Sequence, residues 1–254
     1  MKTQNPRLTR NPTVPPVPAS KGAAGVATAV AEAVRYQGRK AARQGSEQRR
    51  QEILDAAMRV VVRDGVRGVR HRAVATEAGV PLSATTYYFK DIDDLLSDTF
   101  AQYVERSAAF MAKLWQNTEM LLHHLLAQGD GTPAARGQLA DAIARMAVDY
   151  VQRQLRSRRD YLIAEQAFRQ EALLNPRLAD LVCSHDQILL QGARQLLEVL
   201  GSLDPHEDAQ LLTAIIGRME YQGLLDPSTS QPDARQLKTL VRFMHLVLGS
   251  AAPA

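Results

Sequence analysis

The sequence ATEAGVPLSATTYYF fills positions 75–89 and decides how the amino-terminal part of the chain folds. It predicts two short helices, at about residues 70–78 and 82–89, separated by the turn Gly79-Val80-Pro81. Glycine readily ends a helix, proline cannot continue one, and the small Ala75 and Gly79 let the two helices approach closely. The stretch therefore predicts a helix-turn-helix unit.

The second helix of this unit has two faces with different chemistry. Leu82, Thr85 and Phe89 are spaced as one helical stripe, which we expect to face the core. A second stripe, expected to face outward, is polar and consists of Ser83, Thr86, Tyr87 and Lys90. Hydroxyl groups can hydrogen-bond phosphate oxygens and base edges in a DNA major groove, and cations neutralise the backbone.

Basic residues also lie at or just before the start of the first helix, where their side chains and the free helix amides can bind phosphate together. They are Arg67, Arg70, His71 and Arg72. We predict that the DNA contacts come from Arg70, Arg72, Ser83, Ala84, Thr86, Tyr87, Tyr88 and Lys90. The alternative is an ordinary helical hairpin with a solvated polar face.

Positive charge is concentrated at the amino-terminal end of the chain. Lys and Arg outnumber Asp and Glu by 8 to 1 in residues 1–45 and by 8 to 5 in residues 46–90, whereas residues 91–254 hold 15 against 21. The balances of +7, +3 and −6 make up the net charge of +4. A basic amino-terminal region joined to an acidic carboxy-terminal region indicates a domain that binds a polyanion and a second domain with a different function. Alternatively, the basic region is a tail that only aids solubility.

Composition excludes several classes of protein. With 45% hydrophobic and 23% charged residues and no long uninterrupted apolar run, no membrane span is expected. A single cysteine, Cys183, cannot form an internal disulfide or a multi-thiolate metal site, and neither His123 with His124 nor His185 with Cys183 has the spacing for a shared metal. The sequence has no phosphate loop after a strand and no GxSxG or HExxH motif. We expect no metal or cofactor, no catalytic activity and a cytoplasmic location.

Four segments follow from these patterns. Residues 1–45 are rich in proline and then in alanine, so we expect a disordered basic leader with at most a weak helix over 23–42. Such a leader could lie along phosphates or enter a minor groove, or it could be a dispensable extension. We expect residues 46–90 to form the helix-turn-helix DNA-binding domain, residues 91–249 a larger helical domain, and residues 250–254 a flexible tail.

Apolar residues recur at helical spacing from residue 46 onward, so the expected fold class is all-α. Outside the helix-turn-helix unit we expect helices at about 46–64, 91–116, 134–155, 159–174, 176–200, 205–225 and 233–248, with 119–128 continuing or restarting the second of them. The last two are amphipathic and could pair with the same helices of a second copy as a four-helix bundle. Alternatively, both apolar stripes are buried inside one subunit.

Several of these stretches together resemble the TetR family of transcriptional regulators. They are QEILDAA at 51–57, Asp64-Gly65, ATEAGV at 75–80, YYF at 87–89 and DLL at 94–96. The resemblance covers about residues 48–96, and the later helices fit the family in number and spacing. It implies a homodimeric repressor whose affinity for DNA falls when a small molecule enters the larger domain. Thr86 stands where the family often has a tyrosine and Ile92 where it often has a lysine, with Tyr87 and Lys90 nearby.

The resemblance also implies a ligand pocket in the larger domain. The residues expected to line it, on helices that resemble the ligand-enclosing ones of the family, are Met111, Trp115, Met146, Tyr150, Phe168, Cys183 and Gln187. Each of them could instead be packed in a helical core, because methionines and aromatic residues at helical spacing are what any bundle needs. Glu165 and Arg169, four residues apart, are either charges of the pocket or a surface pair.

These observations predict a ligand-responsive transcriptional regulator. We expect a repressor that binds a palindromic operator as a dimer through the last two helices and that a small, largely apolar effector releases. The alternative is a helical small-molecule-binding or protein-binding module without sequence-specific DNA binding.

Overall fold

The computed structural model describes residues 25, 27–29, 36–39, 44–128, 132–226 and 234–249. Over these ranges the chain is helical without a strand, which confirms the all-α class, and no helix there is both long and apolar enough to cross a membrane. The numbered helices are α1 Gln44–Asp64, α2 His71–Ala78, α3 Leu82–Tyr88, α4 Ile92–Gln128, α5 Pro133–Ser157, α6 Arg159–Ala172, α7 Pro176–Val199, α8 Pro205–Leu225 and α9 Ala234–Val247. The expected tail at 250–254 and most of the expected leader lie outside the described residues.

The turn between α2 and α3 is closed by Gly79. Its φ of 65° is left-handed, which a glycine adopts without strain. The N–H groups of Gly79 and Val80 donate to the carbonyls of Thr76 and Ala75, which have no partner within the helix at its end. The turn that the sequence predicts is therefore present, and α3 begins directly after Pro81.

Helix α4 begins where the sequence predicts, because the Asp91 side chain accepts a 2.8 Å hydrogen bond from the Asp94 amide. It continues without a break to Gln128, so continuation is the correct alternative for residues 119–128. Its 37 residues span about 55 Å at the usual helical rise. This length lets α4 contribute to both hydrophobic clusters of the chain.

Two clusters of buried apolar side chains hold the helices together. The first joins α1, α2, α3 and the first part of α4 to α6 and α7, and it contains the fully buried Phe89, Phe100 and Phe168. The second joins α5, α7, α8, α9 and the distal part of α4. Because the first cluster extends from α1 to α7, the helix-turn-helix part and the larger domain share a core across the boundary expected at residue 90.

The apolar stripe of α9 is buried inside the subunit. Leu240, Met244 and Leu248 are at most 6% exposed and belong to the second cluster, to which α5 also contributes. For these residues, burial within one subunit is the correct alternative. Four large apolar or aromatic side chains of the last two helices nevertheless remain exposed: Leu211, Tyr221, Leu225 and Leu246.

Candidate nucleic-acid interface and cavity

Helix α3 presents the outward polar stripe that the sequence predicts. Ser83, Thr86 and Tyr87 are exposed, as is Lys90 just after the helix. The opposite face consists of Thr85, Tyr88 and Phe89, all at most 5% exposed. Leu82, expected to face the core, is 42% exposed because the inward face of this seven-residue helix begins one turn later.

The prediction of Tyr88 as a DNA contact is wrong. Its ring belongs to the first buried cluster, and its hydroxyl lies 2.8 Å from the Ser46 Oγ of α1. Ala84 is half-buried and packs against the same cluster. Residue spacing alone does not distinguish these two residues from the exposed stripe. Adjacent residues of a helix point about 100° apart, so on a short helix they can lie at the border between the buried and the exposed face.

Arg70 and Arg72 lie at the start of α2 and are exposed. They line a shallow surface depression whose acidic residue, Glu77, is already paired with Arg59 at 2.7 Å and with Arg63 at 2.8 Å. Among the described residues, no acidic side chain forms an ion pair with Arg70 or Arg72. Both guanidinium groups are therefore available for an anionic ligand. We call the set Arg70, Arg72, Ser83, Thr86, Tyr87 and Lys90 the cationic surface.

Residues 36–39 of the leader contact this surface and α4. The Arg39 N–H donates to the Tyr88 carbonyl at 2.8 Å, and the Arg39 guanidinium lies over the Tyr87 ring, 4.4 Å from its centroid. The amides of Gln37 and Gly38 both donate to the carboxylate of Asp98 in α4. The expectation of a disordered leader is therefore wrong for residues 36–39, which have specific partners that composition does not reveal.

Asp98 joins three parts of the chain through one buried carboxylate. Besides the two leader amides, it accepts a 2.7 Å hydrogen bond from the Arg50 Nη2 of α1, and the Arg50 guanidinium lies over the Tyr36 ring. A buried charge is tolerated when its oxygens are paired in this way. A Cβ atom at Gly38 would lie 2.7 Å from Asp98 Oδ2 and 2.9 Å from the Phe89 ring, so only glycine fits there.

A cavity of about 710 Å³ lies within the larger domain, a volume typical of small-molecule sites. Helices α4 to α9 all contribute to its wall. Of the residues expected to line a pocket, Met111, Trp115, Met146 and Tyr150 do so. Most of the remaining wall is aliphatic, from residues such as Leu122, Ile143, Leu189, Leu212 and Ile216.

Three of the expected pocket residues are not part of this wall. Phe168 is fully buried and stacks on Phe100, with 4.3 Å between the ring centroids, so the alternative of core packing applies to it. Cys183 and Gln187 are exposed on α7 and point away from the cavity. Residue spacing on α6 and α7 is visible in the sequence, but the rotation of each helix about its axis is not, and that rotation decides what faces the cavity.

One end of the cavity is charged. Glu165 and Arg169 both line it and form an ion pair of 2.9 Å, so the alternative of a surface pair is wrong. Arg169 also binds Asp186, and the Tyr103 hydroxyl donates to Glu165 at 2.8 Å. Burial alone would raise the pKa of Glu165, but His185, Arg169 and Tyr103 together hold it below its usual value. Glu165 is therefore a carboxylate whose charge is compensated by its neighbours.

Glu220 of α8 is a second acid in the wall, and it is not among the residues predicted from the sequence. Its carboxyl group is partly buried and has no hydrogen-bond or ion-pair partner among the described residues. Burial, and next the charge of Glu165, raise its pKa to about 8. One signal was available: Leu212, Ile216 and Glu220 follow each other at four-residue steps, which places an acid on an otherwise apolar stripe.

Helix α6 connects the cavity with the helix-turn-helix part. It contributes Glu165 and Arg169 to the cavity wall, and two residues further on Glu171 lies 3.9 Å from Arg67, in the turn that precedes α2. Helix α4 makes a second connection through a 2.6 Å ion pair between Arg106 and Asp55 of α1. Two helices of the cavity wall are thus in direct contact with the part of the chain that contains the helix-turn-helix unit.

Two family models match the chain. The model described as bacterial regulatory proteins, tetR family, matches residues 53–99, and the model described as tetracyclin repressor-like, C-terminal domain, matches residues 134–245. The first range contains α2 and α3, and the second contains most of the cavity-forming helices. Together the two ranges cover more than half of the chain.

Individual proteins are similar over shorter or more divergent stretches. The nicotine-responsive transcriptional repressor HdnoR of Paenarthrobacter nicotinovorans is 32% identical over 71 residues, which are 28% of this chain and 37% of that protein. The transcriptional regulator PksA of Bacillus subtilis is 41% identical over 51 residues, which are 20% of this chain and 25% of that protein. The chain thus spans only 25–37% of the length of these relatives.

A solved structure of a TetR-family member from Streptomyces coelicolor A3 covers much more. It is 26% identical, and the superposition includes 77% of this chain and 97% of that chain, with a TM-score of 0.50.

Proposed function

Because the chain belongs to the TetR family of bacterial regulatory proteins, we propose that it is a ligand-responsive transcriptional repressor of the cytoplasm. In this proposal it binds a palindromic operator as a homodimer, and a small, largely apolar effector in the cavity releases it. The observation that carries the proposal is the cationic surface, in which unpaired arginines and exposed hydroxyl groups surround one short helix.

The chemistry of this surface suits a DNA duplex. Helix α3 is short enough to enter a major groove, where Ser83, Thr86 and Tyr87 would meet base edges and phosphates. Arg70, Arg72 and Lys90 would neutralise the flanking phosphates. The packing of Thr85 and Phe89 against the core fixes which face of α3 is turned outward.

The leader adds a further cation to this surface. Arg39 is exposed, stacks on Tyr87 and is held there by the hydrogen bonds of residues 37–39. We therefore include Arg39 among the phosphate contacts.

Dimerisation is proposed to use the exposed side chains of the last two helices. Leu211, Tyr221 and Leu225 fall on one side of α8, and Leu246 is exposed on α9. Exposed apolar residues on neighbouring helices are typical of a surface that a second copy covers. A two-fold pair would present two α3 helices to successive major grooves, about 34–36 Å apart.

Release by an effector follows from the connections of α4 and α6. A ligand that fits the cavity better when these helices are displaced would favour a separation of the two α3 helices that no longer matches the operator. The ion pairs Glu171–Arg67 and Arg106–Asp55 are the contacts through which the displacement would reach the cationic surface.

Selection from a pool of random duplexes tests the DNA-binding part of this proposal, because it requires no assumption about the operator sequence. The full chain is expected to enrich a palindromic sequence with half-sites one helical turn apart. A pool that stays random after repeated rounds at low salt would contradict the proposal and favour a helical binding module that does not recognise DNA sequence.

A further inference from the structure

We propose that the cavity takes a lipophilic organic cation, with its charged nitrogen paired with Glu220 and its apolar body against the side chains around Trp115 and Tyr150. The inference rests on the proposed function, because it names the chemical class of the effector that would control DNA binding. It comes from the distribution of charge around the cavity.

The wall of the cavity has an excess of acid. Its charged residues are four carboxylic acids and two arginines: Asp149, Glu165, Asp186, Glu220, Arg153 and Arg169. Arg169 is occupied on both sides, because it donates to Glu165 at 2.9 Å and to Asp186 at 3.2 Å. Glu220 is left without an ion-pair or hydrogen-bond partner in the described chain.

An acid without a partner in an apolar wall is costly for a purely structural role. Burying a carboxylate without compensation destabilises the fold, and the group then keeps its proton. Glu220 follows this rule, since burial and the neighbouring Glu165 raise its pKa to about 8. A bound cation would supply the missing partner, and the attraction between the two charges is stronger beside an apolar wall than in bulk water.

The same wall disfavours other classes of ligand. An anion would be repelled, because the wall has more carboxylates than free guanidinium groups. A neutral hydrocarbon would leave the carboxyl group of Glu220 without a partner. Three aromatic residues line the cavity, Trp115, Tyr150 and Tyr221, and their ring faces attract organic cations. The volume of about 710 Å³ accommodates a ligand with several rings, larger than a metal ion or a simple ammonium ion requires.

Binding of such a ligand should depend on pH, because Glu220 must lose its proton to pair with it. The titratable or charged groups that share the cavity wall with Glu220 are Asp149, Tyr150 and Arg153 from α5, Glu165 and Arg169 from α6, Asp186 from α7 and Tyr221 from α8 itself. Behind this wall, the buried Tyr103 of α4 also interacts with Glu220. The lining residues of α4 and α9 have no titratable side chain. Burial raises the pKa of Tyr150 further above its usual range, so its hydroxyl stays neutral in the same experiment.

A matched pair of probes tests the inference by calorimetry on the full-length protein. N-methylphenanthridinium is permanently cationic, whereas phenanthridine has nearly the same shape and is neutral near pH 7. We expect the cation to bind at least about tenfold more tightly at pH 8.5, and its affinity to fall by up to about tenfold per pH unit below pH 8. Equal or tighter binding of neutral phenanthridine, or no binding of the cation at millimolar concentration, would overturn the inference.

The variant Glu220→Gln keeps the size of the side chain and removes its charge. It should bind both probes with similar affinity and lose the pH dependence, whereas the control Glu198→Gln, an exposed acid of α7 paired with Arg194, should behave like the wild type. A preference for the cation that survives Glu220→Gln would also overturn the inference. Duplex binding without ligand is measured on all three proteins, so a failure of sequence-specific DNA binding is recorded separately from a failure of cation recognition.

Discussion

The backbone amide of Gly38 donates a 2.9 Å hydrogen bond to the fully buried carboxylate of Asp98. This contact ties the leader to α4, the helix that continues into the cavity wall, and it places Arg39 over Tyr87. A segment that composition assigns to a disordered tail is thereby part of the proposed DNA-binding surface.

Replacing Gly38 with alanine should detach residues 36–39. The new Cβ atom would lie 2.7 Å from Asp98 Oδ2 and 2.9 Å from the Phe89 ring, neither of which can retreat within a buried core. We expect faster tryptic cleavage of the leader and a duplex affinity reduced to that of Arg39→Ala. Gly45→Ala is the control, since a Cβ atom there has open space. Wild-type affinity for Gly38→Ala together with a detached leader would remove Arg39 from the proposed contacts.

Replacing Arg72 with alanine should weaken binding to all duplex sequences. Each phosphate contact contributes about 0.9 to the slope of log K against log salt concentration, and the residue occurs twice in a dimer. The slope should therefore become less steep by up to about two. The measurement is a fluorescence anisotropy titration at several salt concentrations, with Arg145→Ala as the control because Arg145 lies on α5 of the larger domain. An unchanged slope for Arg72→Ala would count against its phosphate contact.

Replacing Gly192 with alanine should obstruct the cavity. A Cβ atom at this position would lie 2.2 Å from the Trp115 Nε1, so the indole must move. Trp115 is the one tryptophan of the chain, and its fluorescence reports both the displacement and ligand binding. We expect a changed emission spectrum and ligand binding weakened at least about tenfold, a loss of about 1.4 kcal/mol. The control is Gly217→Ala, which lies in the cavity wall and has open space around a Cβ atom, so it should bind ligand as the wild type does.

The raised pKa of Glu220 predicts that the contribution of this residue to the stability of the ligand-free protein falls with rising pH. The folded protein keeps this proton up to about pH 8, whereas the unfolded chain releases it near the ordinary value of 4.5. Between these values the unfolded state binds fewer protons, so the free energy of unfolding falls by up to about 1.4 kcal/mol per pH unit. In urea denaturation, Glu220→Gln should be more stable than the wild type, and by a larger margin at pH 8 than at pH 5. A margin that does not change with pH would contradict the buried, unpaired acid.

Arginine at both Leu225 and Leu246 should prevent dimerisation. These side chains are each 69% exposed in one subunit, and a cation there would have to be buried in the proposed interface. Sedimentation should show a monomer, and affinity for a palindromic duplex should fall by at least about 100-fold, because the two half-sites are then bound independently. Leu173→Arg, at an equally exposed position after α6, is the control. A double variant that remains dimeric would place the interface elsewhere.

The sequence predicts where the helices begin and end, but it does not predict how each helix is rotated about its axis. Gly79, Asp91 and Pro205 lie at the turn or helix end that local chemistry predicts for them, because caps and glycine turns depend on nearby residues. The sequence does not show that Phe168, Cys183 and Gln187 lie outside the cavity wall, since the rotation of α6 and α7 is set by packing between distant parts of the chain.

The same limit applies to the candidate sites. Leu82 is expected in the core but is exposed, and Tyr88 is expected to contact DNA but is buried. Helix α3 is too short for residue spacing alone to show which of its sides is buried. The contact of residues 36–39 depends on Asp98, about sixty positions away, and no local pattern indicates it. Glu220 is visible in the sequence only as an acid on an apolar stripe, and its lack of a partner requires the folded chain.

The central claim is that the cationic surface distinguishes one duplex sequence from another, and a ratio of affinities tests it most directly. The measurement compares the selected palindrome with a scrambled duplex of the same length and composition at physiological salt. We expect a preference of at least about 1,000-fold, and its loss when Thr86 and Tyr87 are both replaced by alanine. Equal affinity for the two duplexes, at low as well as physiological salt, would contradict the account.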